Sequence, residues 1–158
     1  MKIFVFFLVF VMAVNLLEVE GCCSSPWIHF NGHCYYFYPW TTTNWSQARK
    51  NCLYKGADLV SIHSPEEQAF ISDWVERIND ALGVKNVWLG GNDIAVEGTF
   101  KWSDKSYWGY TNWYSGQPNN AGGNEDCMAM WNPVTYSGKW FDRICTQTDL
   151  RYICKRAC

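Results

Sequence analysis

The stretch from residue 117 to residue 126 gathers the side chains best suited to binding a ligand. Its side chains with amide or carboxylate oxygens include Gln117, Asn119, Asn120, Glu125 and Asp126. Calcium binds about six to eight such oxygens and accepts carboxylates and amides in one shell. A cis bond before Pro118 would turn the amides of Gln117 and Asn119 in the same direction. The sequence therefore predicts a hard-cation site in a loop.

The sequence contains no recognisable set of catalytic residues. There is no Gly-x-Ser-x-Gly elbow, and no free cysteine with a partner base is expected. Two acid pairs occur, but Glu66-Glu67 fits a helix cap and Glu125-Asp126 belongs to the predicted cation site. We therefore expect a binding protein rather than an enzyme.

The first 21 residues have the pattern of a secretory signal peptide. Lys2 precedes an almost wholly apolar run, residues 3–17, and Val19 and Gly21 occupy the small-residue positions before a cleavage point. The apolar run has about 15 residues, fewer than the roughly 20 that a spanning helix needs. We expect cleavage after residue 21, no membrane span in the mature chain, and a secreted, extracellular domain formed by residues 22–158.

The charge of the chain excludes nucleic acid as a partner. The formal net charge is −2, and the basic residues do not cluster. A protein that binds nucleic acid neutralises phosphates with grouped lysines and arginines.

Eight cysteines follow the leader, and their even number in an exported chain predicts a disulfide framework. Spacing alone does not choose among about 105 full pairings. A zinc site is not expected, because there is no Cys-x-x-Cys pair.

The first half of the chain predicts two strands and two helices. Strands within residues 23–37 meet at a turn at Asn31-Gly32, and the helical stripe of residues 45–54 follows. A second helix begins at Ser64, with a capping box, and ends near residues 79–83. Thr43 or Asn44 is available to cap the first helix. Asn44 also begins a glycosylation sequon.

The second half predicts strands and a long loop. Strands are expected at residues 87–89, 127–131, 138–141 and 151–154, and no helical periodicity occurs between them. Helices first and strands afterwards indicate an α+β fold. The loop of about 35 residues is long for a compact domain. Its aromatic residues are expected to form a small core of their own: Trp102, Tyr107, Trp108, Tyr110, Trp113 and Tyr114.

Motifs along the whole mature chain resemble the C-type lectin domain in order and spacing. They are Cys23 with Cys34-Tyr35, Trp45…Ala48…Cys52, Val87-Trp88-Leu89-Gly90, Gln117-Pro118-Asn119, Asn124-Glu125-Asp126-Cys127, Trp140-Phe141-Asp142, Cys145 and Tyr152-Ile153-Cys154. The resemblance implies two helices flanking antiparallel sheets, disulfide bonds and a long calcium-binding loop. It also implies the pairs Cys23–Cys34, Cys52–Cys154 and Cys127–Cys145.

Cys22 and Cys158 remain outside those implied pairs. They lie at the two ends of the mature chain, and domain termini are often close together. They are expected either to pair with each other or to link two subunits in a disulfide-bonded homodimer.

The resemblance also assigns roles to the oxygen-bearing residues. It implies a principal calcium ion at Gln117, Asn119, Glu125 and Asp142, whose open positions accept two vicinal sugar hydroxyls. It implies an auxiliary ion at Asp93, Glu97, Asn120 and Asp126. Trp113 and Tyr114 are candidates to stack on the sugar, although core packing is the alternative for Trp113. The implied partners are glycans or glycoproteins.

Three positions depart from the pattern of the family. Phe141 stands where the family has Asn, which removes one oxygen ligand. Gln117 replaces the Glu of many mannose binders, and Asn119 replaces the Asp of galactose binders. Two hypotheses follow: a secreted calcium-dependent lectin, or a lectin-like domain that engages a protein, ice or mineral surface without binding sugar.

Overall fold

The computed structural model describes residues 22–136 and 138–158, so the predicted signal peptide lies outside the described residues. The elements are β1 (Ile28–Phe30), β2 (His33–Thr43), α1 (Trp45–Tyr54), β3 (Asp58–Leu59), α2 (Pro65–Leu82), β4 (Val87–Asn92), β5 (Lys101–Trp102), a 3-10 turn (Ala121–Gly123), β6 (Cys127–Met130), α3 (Pro133–Tyr136), β7 (Trp140–Arg143) and β8 (Leu150–Ala157). None of the helices in these ranges has the length and apolar character needed to cross a bilayer.

All of these strands join one sheet in the order β1-β2-β8-β4-β6-β7, with β3 beside β8 and β5 beside β4. The predicted α+β class is confirmed, with two refinements. The sheet is mixed rather than antiparallel, because β4 and β8 run parallel, with Val87 opposite Arg151. A parallel pair needs a long crossover, which the loop and the β6–β7 hairpin supply. The short helix α3 is the third helix of the described chain.

The caps of the two long helices explain where those helices begin. Asn44 caps α1, and its side chain accepts a hydrogen bond from Gln47 N at 2.9 Å. Ser64 caps α2 in the same way, accepting from Glu67 N at 3.2 Å, and α2 ends before Gly83 at φ 85°. The predicted bounds of α1 and the predicted start of α2 are confirmed.

Glu67 departs from the predicted capping box. Its Oε2 accepts from the backbone N–H of His63 at 2.8 Å rather than from Ser64. Its Oε1 accepts from Tyr35 Oη and from Lys155 Nζ, both at 2.6 Å. Glu67 and Lys155 are both buried, so this ion pair ties α2 to β8. Removing one partner of such a pair costs about 3–5 kcal/mol, because the other charge stays buried.

Four disulfides brace the domain: Cys23–Cys34, Cys52–Cys154, Cys127–Cys145 and Cys22–Cys158. The first three are the pairs that the resemblance implies. The fourth joins the two ends of the described chain. Because all eight cysteines lie in the described residues and all are paired, none is left to link two subunits. The alternative of a covalent homodimer through Cys22 or Cys158 is therefore not what the structure contains.

Candidate functional site

The long loop between β4 and β6 is tied to the sheet at several points. Its start is held by Asp93 N, which donates to Asp126 O at 3.1 Å. Its middle is held by Tyr114 N, which donates to Trp140 O at 2.9 Å, and by Asn112 O, which accepts from Trp140 N at 2.9 Å. Residues 117–126, which we call the polar segment, are thereby positioned beside β7.

An aromatic cluster around Trp140 fills the inside of the loop. The rings within 6.5 Å of Trp140 belong to Trp102, Trp108, Tyr110 and Trp113. Trp113 also meets Phe100 edge to face at 4.9 Å, so its ring packs inside the loop. Tyr107 (84% exposed) and Tyr114 (41% exposed) were predicted to join this core but lie outside it. Of the two predicted stacking residues, Tyr114 is the one whose ring is free to meet a ligand.

Asp142 is the anchor of the polar segment. It is 2% exposed, on β7, and its carboxylate accepts from Asn119 N at 3.0 Å and from Asn120 N at 2.6 Å. The peptide bond between Gln117 and Pro118, at the start of this segment, is cis. A carboxylate has about four lone-pair sites, so Asp142 keeps capacity for a further ligand.

The other oxygen-bearing residues close the loop on itself. Ala121 N donates to both Asn119 Oδ1 (3.1 Å) and Glu125 Oε2 (3.0 Å), and Glu125 N donates to Asn120 Oδ1 (3.0 Å). Burial raises the pKa of Glu125, the hydrogen bond from Ala121 N lowers it, and the charges of Asp142 and Arg143 have smaller, opposing effects. A cation bound beside Glu125 would favour its ionised form.

Gln117 Oε1 is buried and has no hydrogen-bond partner among the described residues. An unsatisfied buried acceptor costs about 1–3 kcal/mol, so it points to a missing partner. Amide oxygens together with carboxylates are a donor set that fits calcium. Residues 117–126 hold Gln117, Asn119 and Glu125, and the backbone of Asn119 is bonded to the carboxylate of Asp142 on β7, an arrangement compatible with the predicted principal ion.

The predicted auxiliary site is less complete. Asp93 Oδ1 is also buried without a partner, whereas Oδ2 accepts from Gly98 N at 2.8 Å. Burial raises the pKa of Asp93, and the charges of Asp126 and Asp142 add to this shift. Glu97 is exposed. In the part of the chain that the structure describes, the carboxylates of Asp93, Glu97 and Asp126 do not all approach within 4.8 Å.

Phe141 does not face the polar segment. It is 4% exposed, and its ring stacks on Trp131 at 4.4 Å with an interplanar angle of 13°. The residue that replaces the Asn of the family thus joins the core. The contact of Phe141 with Trp131 was not predicted, although an aromatic residue at 141 and another at 131 were a signal for a contact across the β6–β7 hairpin.

Asn44 has a structural role that the sequon does not reveal. Its Oδ1 accepts from Gln47 N, so the side chain is part of the cap of α1 and is half-buried. The glycosylation of Asn44 stays a prediction.

Comparisons with known proteins agree with this fold. A family model described as "Lectin C-type domain" matches residues 41–156. The human C-type mannose receptor 2 is 38% identical over 141 residues, which are 89% of this chain but 9% of the receptor. The chain thus spans about a tenth of that relative.

Two solved structures are similar over nearly their whole length. The cow C-type carbohydrate-recognition domain of CD23, crystallised in the presence of a GlcNAc2Man3 oligosaccharide, has a TM-score of 0.74 at 38% identity and covers 86% of this chain and 96% of its own. A calcium-independent type II antifreeze protein has a TM-score of 0.74 at 32% identity and covers 85% and 94%. With the matched family model, the shared fold and the disulfide framework, this chain belongs to the C-type lectin domain family.

Proposed function

We propose that this chain is a calcium-dependent, carbohydrate-binding lectin. Gln117, Asn119, Glu125 and Asp142 would hold the ion. A bound calcium ion would supply two positive charges and open coordination positions for two sugar hydroxyls. The proposal rests on the buried, unpartnered Oε1 of Gln117 in a segment that also holds Glu125 and that is hydrogen-bonded to the carboxylate of Asp142 on β7.

The proposal extends to a second ion and to the location of the protein. The unpartnered Oδ1 of Asp93 supports an auxiliary ion, shared with Glu97, Asn120 and Asp126. The four disulfides support export, since such bonds persist in oxidising compartments. Residues 1–21 would be removed as a signal peptide, leaving residues 22–158 as a secreted domain without catalytic activity, whose partners are glycans or glycoproteins.

A second candidate function is a lectin-like domain that engages a protein, ice or mineral surface without sugar. Phe141 supports it, because the ring supplies no oxygen to the polar segment. The likeness to a calcium-independent antifreeze protein supports it as well. The buried oxygens of Gln117 and Asp93 that lack hydrogen-bond partners favour the first function, because a bound ion would satisfy them and contact with an outer surface would not.

A thermal unfolding experiment tests the proposed ion. A ligand that binds only the folded state stabilises it by about 2.7 kcal/mol at a concentration 100 times its Kd. We expect calcium to raise Tm relative to chelator in the natural protein. Gln117→Met should keep the Tm measured in chelator, because it removes an unpaired acceptor, but should reduce the rise with calcium.

Gln47→Met on the exposed side of α1 is the matched control and should behave as the natural protein. The absence of any calcium effect on Tm would contradict the proposal. If Tm rises, retention on mannose or galactose resin with elution by chelator is the expected next result. Stabilisation without retention on either resin would favour the second candidate function.

A further inference from the structure

A depression with aromatic and hydroxyl-bearing walls lies beside the polar segment of the long loop. Its volume is about 600 Å³. It is lined by Trp113, Tyr114, Ser115, Thr135, Tyr136 and Lys139. We refer to it below as the tyrosine depression, after Tyr114 and Tyr136, whose rings are 41% and 42% exposed.

The two tyrosine rings are held in fixed orientations. They are perpendicular to each other, with centroids 5.8 Å apart, and each packs against Trp131, at 5.0 Å and 4.8 Å. Trp131 is in turn stacked on the buried ring of Phe141. Phe141 therefore supports Trp131 and, through it, the two tyrosine rings that line the depression.

A tight turn joins the depression to the proposed calcium site. Gln117 N donates to Tyr114 O at 2.9 Å, so residues 114–117 form a β-turn. Gly116 occupies its third position with φ +83°, a conformation that favours glycine. The Cα atoms at the ends of a β-turn lie within about 7 Å of each other. Tyr114 is therefore a direct neighbour of the first proposed calcium ligand.

The depression also contains polar groups that can form hydrogen bonds with a sugar. Ser115, Thr135 and the tyrosine hydroxyls donate and accept hydrogen bonds. Lys139 Nζ donates to Asn112 Oδ1 at 2.7 Å and, as an ammonium group, keeps two further N–H donors. Sugar rings combine apolar C–H faces with a rim of hydroxyls, and tyrosine supplies rigid amphipathic contact at a low entropy cost.

We propose that the tyrosine depression is a second saccharide subsite, so that the ligand is an oligosaccharide of at least two rings. The first ring binds at the calcium ion, and the next ring packs against Tyr136 and Tyr114. This inference rests on the proposed function, because the first ring is placed by the ion.

Titration calorimetry with short and long sugars in calcium tests the subsite. The probes are methyl mannoside against mannotriose, and methyl galactoside against a galactose-ended trisaccharide. In whichever of the two series, mannose or galactose, the natural protein binds, it should bind the trisaccharide more tightly than the methyl glycoside. Tyr136→Ala should weaken trisaccharide binding about three- to tenfold and leave methyl glycoside binding unchanged.

Tyr136→Phe and Tyr107→Ala complete the design. The first keeps the ring and should retain most of the trisaccharide preference. The second removes an exposed tyrosine elsewhere in the loop and should retain all of it. Equal losses for short and long sugars in Tyr136→Ala would assign the residue a structural role and overturn the subsite. An unchanged preference would overturn it too, while leaving the calcium site intact. Sugar binding absent from the natural protein would overturn the proposed function and the subsite together.

Discussion

Phe141 and Asp142 are consecutive residues of β7, and their side chains serve opposite sides of the strand. Successive side chains in a strand alternate between its two faces. Asp142 reaches the backbone N–H groups of Asn119 and Asn120, whereas Phe141 stacks on Trp131. Through Asp142 and Phe141, β7 therefore contacts both the proposed ion site and the aromatic rings that support the tyrosine depression.

Replacing Phe141 with Ala should destabilise the protein strongly. Deleting a buried phenylalanine costs about 3–5 kcal/mol, through lost burial and the cavity that remains. The free energy of unfolding from denaturant titration measures this change. Val134→Ala, at a 63% exposed position, is the control and should cost far less. A loss below about 1 kcal/mol for Phe141→Ala would contradict its place in the core.

Asp104 gives the fold a dependence on pH that is independent of calcium. Burial opposes ionisation of Asp104, but hydrogen bonds from Ser106 and Ser61 outweigh it and lower the pKa of Asp104. A lowered carboxyl pKa contributes stability that is complete above about 3.9, the unfolded value, and is lost as pH falls through the folded value.

Asp104→Asn should therefore cost less than about 1 kcal/mol at pH 7, because Asp104 is an exposed residue and solvent screens its interactions, and almost nothing near pH 2, where the natural carboxyl is also protonated. Denaturant titrations at the two pH values measure the difference. Asp80→Asn, at an exposed position of α2, should have little effect at either pH. A deficit for Asp104→Asn that does not change with pH would show that its ionised form is not the stabilising one.

Residue types indicated where the candidate site lies, but only contacts show how its residues are held in place. Amide and carboxylate oxygens at 117–126 predicted a calcium site, and the bond before Pro118 is cis in the structure. The bonds from Asn119 and Asn120 to Asp142 were not, because they join residues over 20 positions apart. Trp113 and Tyr114 are adjacent in sequence, and only packing separates their roles.

At the level of elements, the start of α1 depends on one side chain. Asn44 accepts the hydrogen bond of Gln47 N and thereby satisfies one of the free N–H groups of the first turn. The same residue begins the sequon Asn44-Trp45-Ser46, and Trp45 is buried. A single residue is thus a candidate for two roles that substitutions can separate.

Asn44→Ala should lower stability by about 1 kcal/mol, because it removes the cap. Ser46→Ala removes the sequon and keeps the cap, so it is the matched control. Thermal unfolding of unglycosylated protein should show a loss in the first variant alone. Equal Tm values for the two variants would contradict the capping role, and intact mass of the secreted protein measures glycan occupancy separately.

The long helices could be predicted because their signals are local. The cap at Ser64, the Pro at 65 and the apolar stripe of 45–54 all act within a few residues. Strands β3 and β5 were missed, since two residues carry no periodicity. The parallel pairing of β4 with β8 depends on the path of the chain between them, which no local pattern encodes.

Across the whole molecule, Cys22–Cys158 and Cys52–Cys154 bring distant parts of the chain together. They join residues 136 and 102 positions apart. Long closed loops gain most from a crosslink, on the order of 4–5 kcal/mol each in a chain-entropy description. This bracing lets an irregular loop of about 35 residues stay within a compact domain.

The pairing of Cys22 with Cys158 predicts a protein without intersubunit disulfides. The natural protein should migrate as a monomer on a non-reducing gel. Replacing both cysteines with Ser should lower Tm and leave the protein monomeric. Cys158→Ser alone frees Cys22 and is expected to allow some covalent dimer. A covalent dimer of the natural protein would contradict the internal pair.

A crystal structure of the mature domain grown in millimolar calcium tests the central claim most directly. We expect a calcium ion bound by Gln117 Oε1 and by the carboxylates of Glu125 and Asp142. The absence of an ion at that concentration, with Gln117 Oε1 still unpartnered, would contradict calcium binding at these residues.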